Sequence, residues 1–219
     1  MKKISIMVLV AICMCMMIGC SKDGKTSSTS KKESASKKVE KGELLTEENI
    51  PNLLSGMHHA EIEVIDYGTI KVELDADSAP VSVTNFVNLA NDKFYDGLTF
   101  HRIISGFVIQ GGDPNGDGTG GSDNNIKGEF INNGVDNQLS HVKGALSMAR
   151  SSAFDSASSQ FFICHEDALA LNADYAVFGK VIEGMDVVDD IAKRAEPIDG
   201  NGTVTAEEQP VIKTIKVLD

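Results

Sequence analysis

Between Ala60 and the C-terminus the chain never lets an apolar run grow long: short β-rich stretches are cut off by clusters of Gly, Asn, Asp and Ser, and only two stretches change to helical spacing. Short alternating runs bury one face each and must find neighbours, so this punctuation constrains the fold more than any other feature. Ile62 and Val64, then Ile70, Val72 and Leu74, alternate with polar residues on either side of Tyr67-Gly68, which predicts a hairpin. Ser78-Ala79-Pro80 offers a cap and an early helical proline. Val83, Phe86, Val87 and Ala90 follow at i, i+3, i+4 and i+7, predicting a helix that ends near Lys93. Strands are expected at 99–104, 107–110, 128–131, 143–148, 160–164, 176–182 and 211–218, and a second helix after Gly184 with Val188, Ile191, Ala192 and Ala195 on one face. Eight or nine short strands and two helices suggest an antiparallel sheet that closes on itself, because closure removes exposed edges. Periodicity alone goes no further than a β-barrel with two helices.

The first 57 residues have another character. Met1-Lys2-Lys3 and the apolar run 4–18 form the charged and apolar regions of a secretory signal, too short to span a bilayer comfortably. The run ends in Met17-Ile18-Gly19-Cys20, which resembles the bacterial lipobox, with Met17 where leucine is usual. That resemblance implies acylation of Cys20 as the mature N-terminus; an ordinary signal peptide cleaved nearby is the alternative. Each buried methylene contributes about 0.8 kcal/mol and two chains give stable attachment, so a diacylglyceryl group on Cys20 would suffice as an anchor. Residues 21–42 are Ser, Thr, Lys and Gly with almost nothing apolar, and read as a tether. The expected division is a lipoprotein signal peptide at 1–19, a lipid-anchored flexible linker at 20–57 and a folded domain at 58–219. The protein is then held at the cell membrane on its extracytoplasmic face. Leu44, Leu45, Ile50, Leu53 and Leu54, late in that linker, suggest a short helix.

Charge is distributed just as unevenly. The chain has 20 Lys and Arg against 32 Asp and Glu, a net −12, but residues 42–219 hold only 11 of those cations and 29 of the anions. Neutralising phosphates needs clustered Lys and Arg, so this body argues against a nucleic-acid partner. A chain of 219 residues with 42% apolar content can bury one sizeable core, and a single monomeric domain is expected. Of the cysteines Cys13, Cys15, Cys20 and Cys164, only Cys164 lies in the folded part, which excludes an internal disulfide there. Set in Phe161-Phe162-Ile163-Cys164, it reads as a small core residue rather than a nucleophile.

The block Phe100-His101-Arg102-Ile103-Ile104-Ser105-Gly106-Phe107-Val108-Ile109-Gln110-Gly111-Gly112-Asp113 is similar to the signature of the cyclophilin-type peptidyl-prolyl cis/trans isomerases. Gly118-Thr119-Gly120-Gly121, Gly128-Glu129-Phe130, Gly144-Ala145-Leu146-Ser147-Met148-Ala149, Ser159-Gln160-Phe161-Phe162-Ile163 and Val177-Phe178-Gly179-Lys180-Val181 follow in that family's order. The similarity covers roughly residues 60–219. It implies a mainly β fold, a closed eight-stranded antiparallel β-barrel capped by two α-helices, with peptide bound in a groove on the outer face. By matching motif positions, Arg102 would be the catalytic arginine, Gln110 its hydrogen-bonded positioner and Phe107 the third member of the catalytic set. Phe107, Val108, Phe162 and Leu171 would line a proline pocket, Tyr175 would supply an aromatic wall, and Ala149 and the backbone of Arg150 would hold the substrate's main chain. The implied partners are proline-containing polypeptides, and no metal or cofactor is expected.

The chemistry is consistent with those residue types. An X–Pro bond isomerises over a barrier of about 18–20 kcal/mol set by amide resonance. A guanidinium aimed at the prolyl nitrogen favours the twisted form in which that nitrogen regains its lone pair, while the planar ground state gains little. Ser105, Val108, Ala170 and Tyr175 depart from the best-known eukaryotic pattern of Pro, Met, Trp and His. Ala170 lacks the indole that helps bind cyclosporin, so inhibitor sensitivity does not carry over with the resemblance. Taken singly, Phe107 and Phe162 could be core aromatics and Arg102 a surface ion-pair residue; the ordered set of blocks decides otherwise. His101 reads as structural, since isomerisation needs no proton transfer. Asp113-Pro114-Asn115-Gly116-Asp117-Gly118 matches the first half of a calcium loop but reads as a Gly-rich barrel loop, and Asp199-Gly200-Asn201-Gly202-Thr203, with Glu208, has Pro197 at the first ligand position and reads as an acidic turn. An enzyme acting on exported or surface proteins is the leading expectation; a tethered proline-peptide-binding module or chaperone with incidental turnover is the alternative.

Overall fold

The computed structural model describes residues 40–219. The expected hairpin is β1 (Met57–Val64) with β2 (Gly68–Asp75), paired in register from Met57 opposite Asp75 to Val64 opposite Gly68. Helix α1 (Pro80–Asn91) follows, then β3 (Thr99–Ile104), β4 (Val108–Asp113), β5 (Ala145–Met148), β6 (Phe161–Cys164), β7 (Val177–Glu183), helix α2 (Met185–Arg194) and β8 (Ile212–Val217). Residues 128–131, expected as a strand, instead lead into a single 3-10 turn at Ile131–Asn133. A second such turn, Leu169–Leu171, carries Leu171.

All eight strands join one antiparallel sheet in the order β3-β4-β6-β5-β7-β2-β1-β8. The closed barrel expected above is corrected here: the sheet is an open half-barrel with β3 and β8 at its ends. Its ends meet at a short junction, the isolated bridge Thr99 to Val211, beside which the Ile212 N–H donates to Leu98 O and the Gly97 N–H to Ile212 O. The cause lies in the segment before β8, which takes up the outer edge of β3. The Ile103 N–H donates to Gly202 O, the Val204 N–H to His101 O, and the Phe100 N–H to Pro210 O. An edge covered by a loop needs no closing strand.

Side chains on the concave side form one core that includes Phe86 of α1, Phe100, Phe161, Phe178 and Ile191 of α2. Phe86 meets Phe161 edge-on with centroids 5.4 Å apart, and Tyr95 meets Phe161 likewise at 5.7 Å. The start of α1 differs from expectation. Ser78 spends its hydroxyl on Asp75 and makes no cap; the buried Glu129 carboxylate accepts from the N–H groups of Val81 (2.8 Å) and Ser82 (2.7 Å) and from the Ser82 hydroxyl (2.6 Å). Burial pushes the Glu129 pKa up against those donors.

Residues 43–54 form turns rather than the expected short helix, and they pack on the body. Leu45 and Ile50 are buried in the main core, and Leu45 bridges Ile126 in parallel.

Candidate active site

Alternation along the strands puts Ile109, Phe161, Ile163, Leu146 and Phe178 into the core and leaves Val108, Gln110, Phe162, Cys164, Ser147 and Val177 on the convex side. Direct cross-strand partners then lay one row across the sheet: Arg102, Gln110, Phe162, Ser147, Val177. Regular alternation would send Arg102 to the same side as Phe100, which is wholly buried in the core. A bulge prevents it. The β3 register shifts between Phe100 and Arg102, so Phe100 opposes Gly111 while Arg102 opposes Gln110, and the guanidinium is re-aimed outward. Close approach also explains a glycine here, since a Cβ on Gly111 would sit 2.6 Å from Thr99 O.

On that convex face lies a cavity of about 250 Å³ lined by Arg102, Phe107, Val108, Gln110, Ala149, Arg150, Phe162, Leu171 and Tyr175. These are the nine residues that the resemblance assigns to catalysis and substrate, gathered from β3, the turn after it, β4, β6 and the loops after β5 and β6. Phe162 and Val108 form its floor as part of a second apolar cluster, separate from the main core, against which Phe107, Leu171 and Tyr175 pack. A polar cavity of about 350 Å³ adjoins it and shares Gln110, Ala149 and Arg150.

Arg102 is held at two points. Its Nε donates to Asn201 O at 2.8 Å, and its Nη1 to Gln110 Oε1 at 3.2 Å. Gln110 Nε2 in turn donates to Gln160 Oε1 (2.9 Å), and Gln160 Nε2 to the carbonyls of Gly118 (3.1 Å) and Gly120 (2.8 Å). Each amide orientation is fixed by the next acceptor. Burial lowers the Arg102 pKa, with Tyr175 and Asp199 opposing; a guanidinium nonetheless stays charged at neutral pH.

The Asn201 carbonyl is presented by a closed turn. Asp199 Oδ1 accepts from the N–H groups of Asn201 (2.9 Å) and Thr203 (3.0 Å), and Oδ2 from the Thr203 hydroxyl (2.8 Å). Those hydrogen bonds lower the Asp199 pKa. The calcium-like pattern thus spends its carboxylate on its own loop, as Asp113 does on Asn115, Asp117 and Gly118.

Arg150 contributes its side chain as well as the expected backbone. The guanidinium stacks over Tyr175 at 4.6 Å, Phe130 at 5.1 Å and Phe154 at 5.2 Å, and its Nε donates to Asp174 O at 2.9 Å. Sequence reasoning missed these partners, together with Gln160, the Asn201 carbonyl and His141. Gln160 stands inside a quoted motif without a role; a backbone carbonyl has no sequence signal. His141 stacks under Phe162, centroids 5.9 Å apart and planes 18° apart. Cys164, fully buried, has its thiol pKa pushed up to about 12, chiefly by burial, and is no nucleophile. Cys20 lies outside the described residues, and among those residues no helix is long and apolar enough to cross a membrane.

The slot is lined by the apolar and aromatic side chains of Phe107, Val108, Ala149, Phe162, Leu171 and Tyr175 together with the Arg102 and Arg150 guanidinium groups and the Gln110 amide. A family model described as cyclophilin type peptidyl-prolyl cis-trans isomerase/CLD matches residues 59–218. The chain is 50% identical over 121 residues to peptidyl-prolyl cis-trans isomerase B of Bacillus subtilis, a match covering 55% of this chain and 81% of that protein. It is 46% identical over 126 residues to a peptidyl-prolyl cis-trans isomerase of Helicobacter pylori, covering 57% and 74%. The crystal structure of a Cryptosporidium parvum cyclophilin type peptidyl-prolyl cis-trans isomerase matches with a TM-score of 0.66 at 29% identity, covering 75% of this chain and 99% of that one. The same Cryptosporidium parvum protein in the presence of the dipeptide Ala-Pro matches with a TM-score of 0.65 at 31% identity, covering 74% and 99%. The chain belongs to the cyclophilin-type peptidyl-prolyl cis-trans isomerase family, and by that membership it is an isomerase.

Proposed function

We propose that the chain accelerates cis–trans isomerisation of X–Pro bonds in exported or surface polypeptides, working as a monomer tethered to the extracytoplasmic face of the cell membrane by a lipid on Cys20. The observation that carries the chemistry is Arg102, held by Asn201 O and Gln110 Oε1 at the rim of the apolar slot. The slot is smaller than the ~300–1,000 Å³ typical of drug-sized ligand sites, and suits one ring and its flanking backbone. The proline ring sits on Phe162 and Val108 between Phe107 and Leu171. Ala149 already donates its N–H to Gln160 O at 3.0 Å, so a docked main chain meets its carbonyl oxygen. The Ala-Pro dipeptide named with the Cryptosporidium parvum relative supports a proline-containing ligand.

With the ring clamped, rotation about the amide proceeds on the carbonyl side, and the prolyl nitrogen turns pyramidal. Arg102 donates to that nitrogen only as its lone pair appears, which stabilises the twisted state selectively. Removing about 7 kcal/mol from the barrier corresponds to roughly 10⁵-fold acceleration. The site's own residues supply this by orientation and charge.

The test is a proline-peptide isomerisation assay on the chain and its Arg102→Ala variant. We expect kcat/KM to fall by about 10²–10³-fold, the usual range for a lost electrostatic donor. A wild-type rate no faster than the variant's would sink the enzymatic reading. Mass measurement of the mature N-terminus decides the anchor: a lipid-bearing Cys20 supports it, an unmodified N-terminus overturns it.

A further inference from the structure

The segment ahead of β1 lies outside the family-matched span, yet it is built into the wall behind the active site. The Leu45 N–H donates to Asn125 O (2.8 Å), the Lys127 N–H to Leu45 O (2.8 Å), and the Gly42 N–H to Asp123 O (3.1 Å). From the other side, Asn124 Nδ2 donates to Glu40 O (2.7 Å) and Glu43 O (3.0 Å). Ile126 then bridges Ala157, its N–H donating to Ala157 O at 2.8 Å, so Leu45, Ile126 and Ala157 form a three-strand ladder one residue wide. The arm's far end is pinned to α1, where Leu54 N–H donates to the Thr84 hydroxyl (2.9 Å) and Asn88 Nδ2 to Pro51 O (3.0 Å). Leu45, Ile126 and Ala157 are all buried in the main core.

The two loops gripped by this ladder, 118–126 and 151–158, line the polar cavity beside the proline slot. The first also ends the hydrogen-bond relay that orients the arginine. Gly118 O and Gly120 O hold Gln160 Nε2, which turns Gln160 Oε1 to Gln110 and Gln110 Oε1 to Arg102. If those two carbonyls move, both glutamines are free to flip, and Nη1 loses its acceptor while Asn201 O still holds Nε. We propose that residues 40–54 are a strap that positions Arg102 through the 118–126 loop and the Gln160–Gln110 relay, with two positioning residues: Leu45 in the strap, outside the catalytic domain, and Asn124 on the loop that the strap holds. This rests on the isomerase reading of the same site.

The test uses the full chain with Leu45→Ala, Asn124→Ala and Gln160→Ala, singly and as the two doubles with Gln160→Ala. Asn124→Ala removes two surface hydrogen bonds without hollowing the core, so it remains informative if Leu45→Ala fails to fold. We expect each strap variant to lower kcat about three- to ten-fold with KM within about two-fold, and to cost less than about 1.5-fold once Gln160 is already Ala, because coupled residues are non-additive. A general loss of stability would instead lower activity equally in both backgrounds, which overturns the proposal, as does an unchanged kcat. A second readout is independent of turnover: the side-chain resonances of Arg102 Nε–H and the Gln110 amide should shift in Asn124→Ala, and unchanged positions refute the strap. A wild-type chain inactive in the assay counts against the isomerase reading alone, and the resonances then judge the strap.

Discussion

His141 shows how a residue with no contact to the cavity can support it. It is fully buried, its Nδ1 lies 2.9 Å from Asn172 Oδ1 and its Nε2 lies 3.0 Å from the Ser147 hydroxyl. Asn172 Oδ1 also accepts the His141 backbone N–H (2.9 Å), so Nδ1 carries the ring proton and Nε2 accepts from Ser147. Burial lowers the His141 pKa, with Asn172 opposing. A histidine whose folded pKa lies below its unfolded value near 6.5 takes up protons in the unfolded state first, so its contribution to stability is lost as pH falls through that window. The buried His101, also lowered chiefly by burial, has the same sign; exposed His59, raised by its hydrogen bond to Asp219, has the opposite sign. We therefore expect the stability gap between the wild type and His141→Gln to narrow as pH is taken from 7.5 to 5.5 in urea titrations. A gap that stays constant would refute a neutral His141 under Phe162. At this scale Arg102, Phe107, Val108, Gln110, Ala149 and Phe162 were legible because ordered motif blocks carry them, whereas Arg150, Leu171 and Tyr175 lie between the blocks and came only with the family resemblance. His141, the Asn201 carbonyl and the rings around Arg150 were not legible, since they are defined by contacts that only the fold makes, such as Arg102 to Asn201 across 99 residues and His141 to Asn172 across 31.

Among the elements, most strands and both helices followed periodicity, the strand expected at 128–131 did not form, and the cap of α1 had no local signal. The apolar spacing 83, 86, 87, 90 found α1 within two residues of its end, but its cap comes from Glu129, 48 residues from Val81. No local pattern could reveal a carboxylate arriving from another loop. The β3 bulge is different, because Phe100 and Ile103 are both fully buried at a spacing of three, a break in period two that the sequence contains. Read as regular, the strand puts Arg102 on the core side; read with the break, it points the arginine out. For the cap, Glu129→Ala leaves the Val81 and Ser82 N–H groups buried without acceptors, a loss of about 2–3 kcal/mol for charge-assisted bonds of this kind. Glu129→Gln keeps one acceptor oxygen and should recover part of it. Chemical denaturation of the three proteins checks the order, and an Ala variant as stable as wild type would show that α1 is not capped from Glu129.

For the whole molecule, the sequence divides tether from domain by composition, and composition changes before packing begins. Leu45 and Ile50, with Leu44, Leu53 and Leu54, suggest a short helix with no visible packing partner; only Ile126 and α1, brought alongside by the fold, give them something to bury against. Barrel closure was equally invisible, because it depends on whether segment 202–212 or β8 reaches the edge of β3, a competition between two stretches that both can pair. One core cluster runs from Leu45 through the sheet to Ile215, so the strap and the half-barrel should open together. Hydrogen exchange distinguishes this from a loosely attached arm, because amides within a cooperative unit exchange only with its opening. The Leu45 and Lys127 N–H groups, both bonded within the ladder, should exchange within about 1 kcal/mol of the Ile163 amide in the sheet's centre. Gly42, at the exposed end, should exchange far sooner. If Leu45 exchanges as fast as Gly42, the arm frays independently, and the body begins only at β1.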